Sequence, residues 1–294
     1  MDHSGQWATT SRDVLSVPGP VGKLRGLARD LTLKALYPPL ALRDYLRPDG
    51  HPHLRIVYYH FVFDDEWSPF EEHVRFFRDY YDVLPLGDAL DRLRNGCLTE
   101  PSLVITFDDG FKNNRTNAAE ALSKYGFSAC FYVTSTFVSL GLEERRTVEA
   151  MCQRNFQLPI AVQNMDWDDV RWLRRAGHEI GSHTMTHAVL TACGAEDVYR
   201  EIVESKAVIE QHLGESIRHF SVPFGRRSHY SPGIRRIVCE AGYESCALNI
   251  RGSNLPRCDL YQLRRDALVA GWSVQEVRTH LLRTASRTHR LFRG

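Results

Sequence analysis

The chain has 294 residues, 43% of them apolar and 25% charged, with a formal net charge of +1. That length suits one large domain or two small ones and can bury a sizeable core. The near-zero charge gives no support for nucleic-acid binding, and seven scattered cysteines with no Cys-x-x-Cys pair argue against a disulfide framework or a cysteine-based zinc site and for a reducing compartment.

The opening stretch, MDHSGQWATTSRD, is polar and lacks the basic-then-apolar pattern of a secretion signal. No apolar run reaches the length of a membrane span, so the expected location is cytoplasmic. Residues 21–46 mix Lys23, Arg25, Arg29 and Lys34 with leucines at helical spacing, then break at Pro38 and Pro39. Amphipathic patterns usually face a core or a partner, and the other reading is peripheral contact with the inner face of a membrane. A turn-rich RPDGHPH closes this region. Residues 1–50 thus read as a partly helical N-terminal extension, and residues 51–294 as the main domain.

From there strands and helices alternate. LRIVYY (54–59) is a short β-branched run, read as a buried strand. Residues 69–83 carry apolar positions at helical spacing, and residues 86–96 form a second short helix stopped by Gly96. SLVITF (102–107) is the next buried strand. A helix over 115–126 ends on glycine, and SACFYV (128–133) is a strand. DWDDVRWLRRAG (166–177) has acids in its first turn and arginines at its end, as the helix dipole prefers. HEIGSH (178–183) is a strand and residues 195–214 a long amphipathic helix. A strand over 217–222, a helix over 232–242, a strand over 243–249 and a helix over 273–286 complete the pattern. Continuous apolar strands alternating with helices imply an α/β fold with a parallel sheet covered by helices, either an open doubly wound sheet or a βα barrel. In both, functional residues gather at the C-terminal ends of the strands.

Three polar groups stand at such strand ends: Asp108 and Asp109 after LVITF, His183 and His187 in SHTMTH, and His60 after IVYY. If the chain turns helically after its strand, His183 and His187 point to one side, as one metal ion requires. A carboxylate would complete a His-His-Asp set with an open position for water, and the cation would offset the repulsion between the adjacent aspartates. One aspartate then ligates and the other stays free as a base. Taken singly, H-x-x-x-H is as often two unrelated histidines, and D-D-G is more often a turn or cap.

TFDDG, GHEIGSHTMTH and VPFG, in this order and spacing, resemble the polysaccharide deacetylases, the NodB-homology domains of carbohydrate esterase family four. The likeness spans roughly residues 54–268. It implies a distorted (β/α) barrel, a divalent metal, usually zinc, and hydrolysis of an N-acetyl group from a sugar, with residues 51–294 as the catalytic domain. Carried over, Asp109, His183 and His187 would hold the metal. Asp108 would be the general base for the attacking water, and the metal with a backbone N–H near Phe224 would stabilise the oxyanion. Zinc, cobalt, nickel and manganese all suit such ligands.

Two departures stand out. The arginine that tethers the base in the family's third motif is absent: Ser221, Val222, Pro223 and Phe224 occupy that stretch, and Arg264 or Arg265 from the next strand is the candidate replacement. The late Leu-x-His motif that supplies the general acid is also missing. Some members look circularly permuted, with an N-terminal Tyr-His strand in that place, which makes His60 the candidate acid. Its plainer reading is a surface histidine after a strand. Phe224, Pro223, Trp167 and Arg265 are the candidate substrate or oxyanion contacts, Trp167 otherwise serving to pack its helix. The expected substrate is an N-acetylated sugar, as a lipid-linked or nucleotide-linked glycan or a small glycoside. The alternatives are hydrolysis of a non-sugar amide or cyclic imide by the same machinery, and a catalytically inactive glycan-binding protein.

Overall fold

The structure is a computed structural model that describes residues 7–15 and 52–290. The amphipathic stretch 21–46 lies outside the described residues. No described helix is long and apolar enough to cross a membrane.

Nine strands form one sheet: β1 (Leu54–Tyr59), β2 (Asp82–Val83), β3 (Ser102–Phe107), β4 (Cys130–Val133), β5 (Glu179–Ser182), β6 (His219–Ser221), β7 (Ser245–Leu248), β8 (Leu263–Arg264) and β9 (Asp266–Ala267). Their spatial order is β8-β7-β6-β5-β4-β3-β1-β9, with β2 beside β3. All these pairings are parallel. β8 and β9 lie at opposite ends of that order yet are separated in the chain by Arg265 alone, so the sheet curls into a nearly closed α/β barrel. Of the two sheets compatible with the sequence pattern, the barrel is the one formed.

Strand periodicity divides each apolar run between two cores. Val57, Tyr59, Leu103, Ile105 and Phe107 pack with the surrounding helices. Ile56, Val104, Cys130 and Tyr132 pack with Leu86, Ala89, Leu90 and Leu93 from the helix Leu86–Asn95, which plugs the barrel. That helix leads into β3, so the plug sits at the N-terminal ends of the strands and leaves the C-terminal ends open.

Three details depart from the sequence pattern. The helix expected over 69–83 is Trp67–Tyr80; Tyr81 is extended, and Asp82–Val83 joins the sheet. A helix, Arg145–Arg154, lies in a region to which the pattern assigned nothing. Residues 7–15, read as part of an extension, pack on the main domain: Ala8 N donates to Ala161 O at 2.9 Å, and the Arg145 guanidinium lies 4.3 Å from the Trp7 ring centre.

The plug helix is held by a carboxylate from the sheet. Glu179, at the start of β5, accepts from Leu86 N at 2.6 Å and Gly87 N at 2.9 Å, where the helix dipole is positive. Burial alone would raise its pKa, but His219 and these two N–H groups outweigh burial and hold it below the ordinary 4.5. A depressed folded-state pKa gives stability that is present above the unfolded value and lost as pH falls through the folded one. Glu179→Gln is therefore expected to cost about 1.5–3 kcal/mol near neutrality, the worth of a charged hydrogen bond. The gap to the parent chain should shrink as pH drops below 4.5, measured by urea unfolding across pH. A gap independent of pH would contradict this role.

Candidate active site

The open end of the barrel holds a cleft of about 300 Å³ lined by His60, Asp108, Asp109, His183, His187 and Phe224, with Phe61, Phe156, Leu158, Arg226 and Asn249. All five residues flagged at strand ends therefore meet in one place.

Asp108 continues the inward-facing row of Val104 and Thr106 on β3. In regular strand, Asp109 would point the opposite way. Its backbone is instead left-handed (φ 78°), which turns it into the same cleft. Gly110 follows at φ 100°, and a Cβ there would lie 2.8 Å from Val138 Cγ1. Thr184, His187 and Phe224 are also left-handed, at φ 70°, 62° and 59°. Such backbone costs on the order of 1–3 kcal/mol per residue and clusters at functional sites.

The two histidines do not share a helical turn. The loop after β5 is irregular, and other parts of the chain fix its shape. Thr184 Oγ1 accepts from His187 N at 3.0 Å, while Glu201 accepts from Thr186 N at 2.9 Å and Thr186 Oγ1 at 2.6 Å. His183 Nδ1 donates to Ser221 O at 2.8 Å, and His187 Nδ1 donates to Asn155 O at 2.9 Å. A carbonyl can only accept, so each neutral ring carries its proton on Nδ1 and offers a bare Nε2 to the cleft. Burial lowers both pKa values, that of His183 to about 4 and that of His187 well below its ordinary 6.5.

Asp109 Oδ1 lies 3.5 Å from His183 Nε2 and 3.3 Å from His187 Nε2. It is buried and has no hydrogen-bond partner. Three acceptor atoms thus converge on one point with no donor among them, a costly arrangement for buried groups that a cation would relieve. The three ligand atoms lie within 4.8 Å of one another. Burial, then the charge of Asp108, pushes the Asp109 pKa well above its ordinary value. The donor set fits a divalent metal such as zinc.

Asp108 is treated differently. Arg265 grips it with two parallel bonds, Nη1 to Oδ1 at 2.7 Å and Nη2 to Oδ2 at 2.8 Å, and both side chains are fully buried. Burial alone would raise the Asp108 pKa; the charge and hydrogen bonds of Arg265 outweigh it and hold it below the ordinary carboxylate value. Arg265 Nη2 also reaches Ser221 Oγ and Asn249 Oδ1, each at 2.8 Å. Of the two arginines considered in the sequence, Arg265 faces the barrel axis and Arg264 does not. Ser221 presents its hydroxyl to the guanidinium of Arg265.

The remaining candidates divide. Phe224 lines the cleft, its ring edge-on to His187 at 4.8 Å, and among the described residues its N–H meets no acceptor. Trp167 stands apart from the cleft: its ring stacks on His212 at 4.0 Å and its Nε1 donates to Ser139 Oγ. Pro223 is buried and outside the cleft lining, and Arg265 lies behind Asp108 rather than in reach of a ligand. His60 is half-buried in the cleft wall; burial lowers its pKa, against the pull of Asp108. Phe61, Phe156, Leu158 and Asn249 carry no motif, and only their fold position brings them here. Arg226 belongs to RRSHY, the basic run after Gly225, which its charge marks in the sequence as either a solvated loop or one that meets an anionic substrate.

Residues 95–246, just over half of the chain, match the family model described as polysaccharide deacetylase. A chitooligosaccharide deacetylase of Sinorhizobium fredii is 31% identical over 127 residues, 42% of this chain and 47% of the relative. Another, from a Bradyrhizobium species, is 26% identical over 126 residues, 42% and 46% of the two chains. The chain spans about half the length of these curated relatives. Among solved structures, the Streptococcus pyogenes deacetylase PplD in complex with acetate has a TM-score of 0.64 at 18% identity, covering 78% of this chain and 99% of that one. An Aggregatibacter actinomycetemcomitans de-N-acetylase has a TM-score of 0.63 at 17% identity, covering 78% and 100%. At these identities the structures establish the same fold.

Removing one partner of a buried pair strands the other charge, at a cost of about 3–5 kcal/mol. Arg265→Met is expected to destabilise the chain by that amount in urea unfolding. Adding Asp108→Leu to it should recover much of the loss, because no buried charge is then left alone. A single variant as stable as the parent would show that the pair is not held as described.

Proposed function

Because this chain belongs to the polysaccharide deacetylase family, we propose that it is a metal-dependent carbohydrate N-deacetylase, hydrolysing the N-acetyl group of an N-acetylated sugar to acetate and a free amine. The observation that carries this reading is the asymmetry of the adjacent aspartates. Asp108 is neutralised by Arg265, while Asp109 faces only two bare imidazole nitrogens.

Asp109, His183 and His187 would hold one divalent cation, with zinc first by donor type and cobalt, nickel or manganese compatible. Bound there, it would polarise the amide carbonyl and lower the pKa of the attacking water. The rest falls to the chain. Asp108, kept ionised by Arg265, takes the proton of that water. The Phe224 N–H donates to the carbonyl oxygen as charge develops on it. His60 hands a proton to the departing nitrogen. Its lowered pKa makes the imidazolium a stronger acid, while the charge of Asp108 favours the protonated form.

The substrate form we favour is a lipid-linked or nucleotide-linked sugar or a small glycoside, handled in the cytoplasm. Seven free cysteines suit a reducing compartment. Contact of residues 21–46 with the inner membrane face would bring a lipid-linked substrate to the cleft.

Amine release from N-acetylated sugars, set against simple amides, tests the reaction; turnover of the amides alone would overturn it. Asp108→Asn should abolish turnover with zinc content unchanged, and loss of zinc would mean that the two aspartates exchange roles. His183→Ala should lose zinc on dialysis, read by elemental analysis, and full retention would remove the metal site. His60→Ala should slow turnover by about 10²–10⁴, the range of general acids. A near-parental rate would place the acid elsewhere.

A further inference from the structure

One flank of the cleft carries arginines that form no ion pair among the described residues. Arg226 lines the cleft, and Arg227 follows it; both are exposed. Arg264 lies on the neighbouring side of the same rim: it pairs with Leu248 of β7, the next residue, Asn249, donates its N–H to Gly225 O at 2.8 Å, and Arg264 Nη1 donates to Arg251 O at 3.1 Å. Among the described residues, none of these four arginines meets a carboxylate within ion-pair distance. The acids nearby in sequence are already engaged: Asp259 with Arg235, Asp266 with Arg55.

The loop that bears Arg226 and Arg227 is pinned, not loose. Gly225 is left-handed (φ 52°), and a Cβ there would lie 2.5 Å from Asn249 N, which itself donates to Gly225 O at 2.8 Å. Arginines brought together against their mutual repulsion, two of them on a fixed turn, suit a multiply charged anion, and guanidinium forks match phosphate oxygens. A neutral glycan offers them nothing, and one carboxylate would leave most of the charge unanswered.

Building on the deacetylase reading, we propose that Arg226, Arg227 and Arg264, with Arg251 beside them, form a phosphate subsite. The N-acetylated sugar then reaches Asp108 and His60 as a phosphate ester or diphosphate rather than as a neutral oligosaccharide. Arg226 borders both the subsite and the reaction centre, which puts the phosphate on the reacting sugar or one link away.

Deacetylated sugars test this without turnover. Equilibrium titration of the zinc-loaded full chain would compare glucosamine 1-phosphate, UDP-glucosamine, a short prenyl-diphosphate glucosamine and methyl glucosaminide. The phosphorylated probes are expected to bind at least about tenfold more tightly, the worth of one charged hydrogen bond. The triple variant Arg226→Gln/Arg227→Gln/Arg264→Gln should lose that advantage and leave methyl glucosaminide unaffected. A tighter nucleotide probe assigns the phosphate to a nucleotide carrier, a tighter prenyl probe to a lipid carrier, and equality to phosphate alone. Equal binding of methyl glucosaminide, an advantage that survives in the variant because it arises at the metal, or tighter binding of a glucuronate-bearing glycoside would each overturn the subsite. Amine release from methyl N-acetylglucosaminide by the parent chain, measured separately, reports on the deacetylase reading whatever the titrations give.

Discussion

The buried pair of Arg265 and Asp108 is the constraint around which the rest is arranged. Arg265 is the single residue between β8 and β9, the two ends of the sheet order. The chain therefore crosses the barrel seam at this residue, and there it turns its guanidinium to the axis. From that point it reaches Asp108 beyond β3, Ser221 on β6 and Asn249 beyond β7, and lies 4.5 Å from the ring of Tyr58 on β1. A buried ion pair returns little net stability, because desolvation offsets the attraction. What it does here is set geometry. Closing the barrel and aiming the candidate base are one event.

That pair also explains how two adjacent carboxylates share a strand end. Only one can be neutralised by Arg265, since its fork is spent on Asp108 in two parallel bonds. Asp109 has burial and the charge of its neighbour against it, so its ionised form calls for a cation from outside the chain. The left-handed backbone at Asp109 keeps it in the cleft despite strand alternation. The same device recurs at Thr184 and His187. Strain at these positions is sustained by contacts elsewhere, notably the hold of Glu201 on Thr186.

The parts legible in the sequence were those that obey local rules. β1 and β3 read directly because runs of apolar and β-branched residues such as 56–59 and 103–107 have few other uses. Asp108, Asp109, His183 and His187 stood out by type and spacing. The helical turn expected to align the histidines did not form: alignment comes from Ser221 O and Asn155 O, backbone groups far away in sequence. Strands of two residues, such as β8 and β9, carry too little pattern to find. Trp167, read as packing its helix or else lining the pocket, packs: its ring stacks on His212, 45 residues on, a partner that the local sequence does not name. The arginine absent at Ser221 left Arg264 and Arg265 as candidates in the sequence, and only the fold selects Arg265.

Burial is one cause with opposed effects across the cleft. It strips charge from His183 and His187, which leaves two neutral nitrogens as ligands need to be. It drives the Asp109 pKa up, so the same low polarity that prepares the imidazoles means that the ionised carboxylate would need a cation beside it. Asp108 alone escapes, because a guanidinium buried with it supplies what water would have supplied. The aromatic wall keeps the region dry: Phe156 and Phe224 flank His187, each at 4.8 Å, and Phe61, Phe111, Phe137 and Phe156 continue the packing away from the cleft. Fixed charges act most strongly where water is excluded. The apolar wall is thus part of the electrostatic design, and Arg226 and Arg227, exposed beyond Phe224 on the same loop, are suited to recognition rather than to the bond-breaking step.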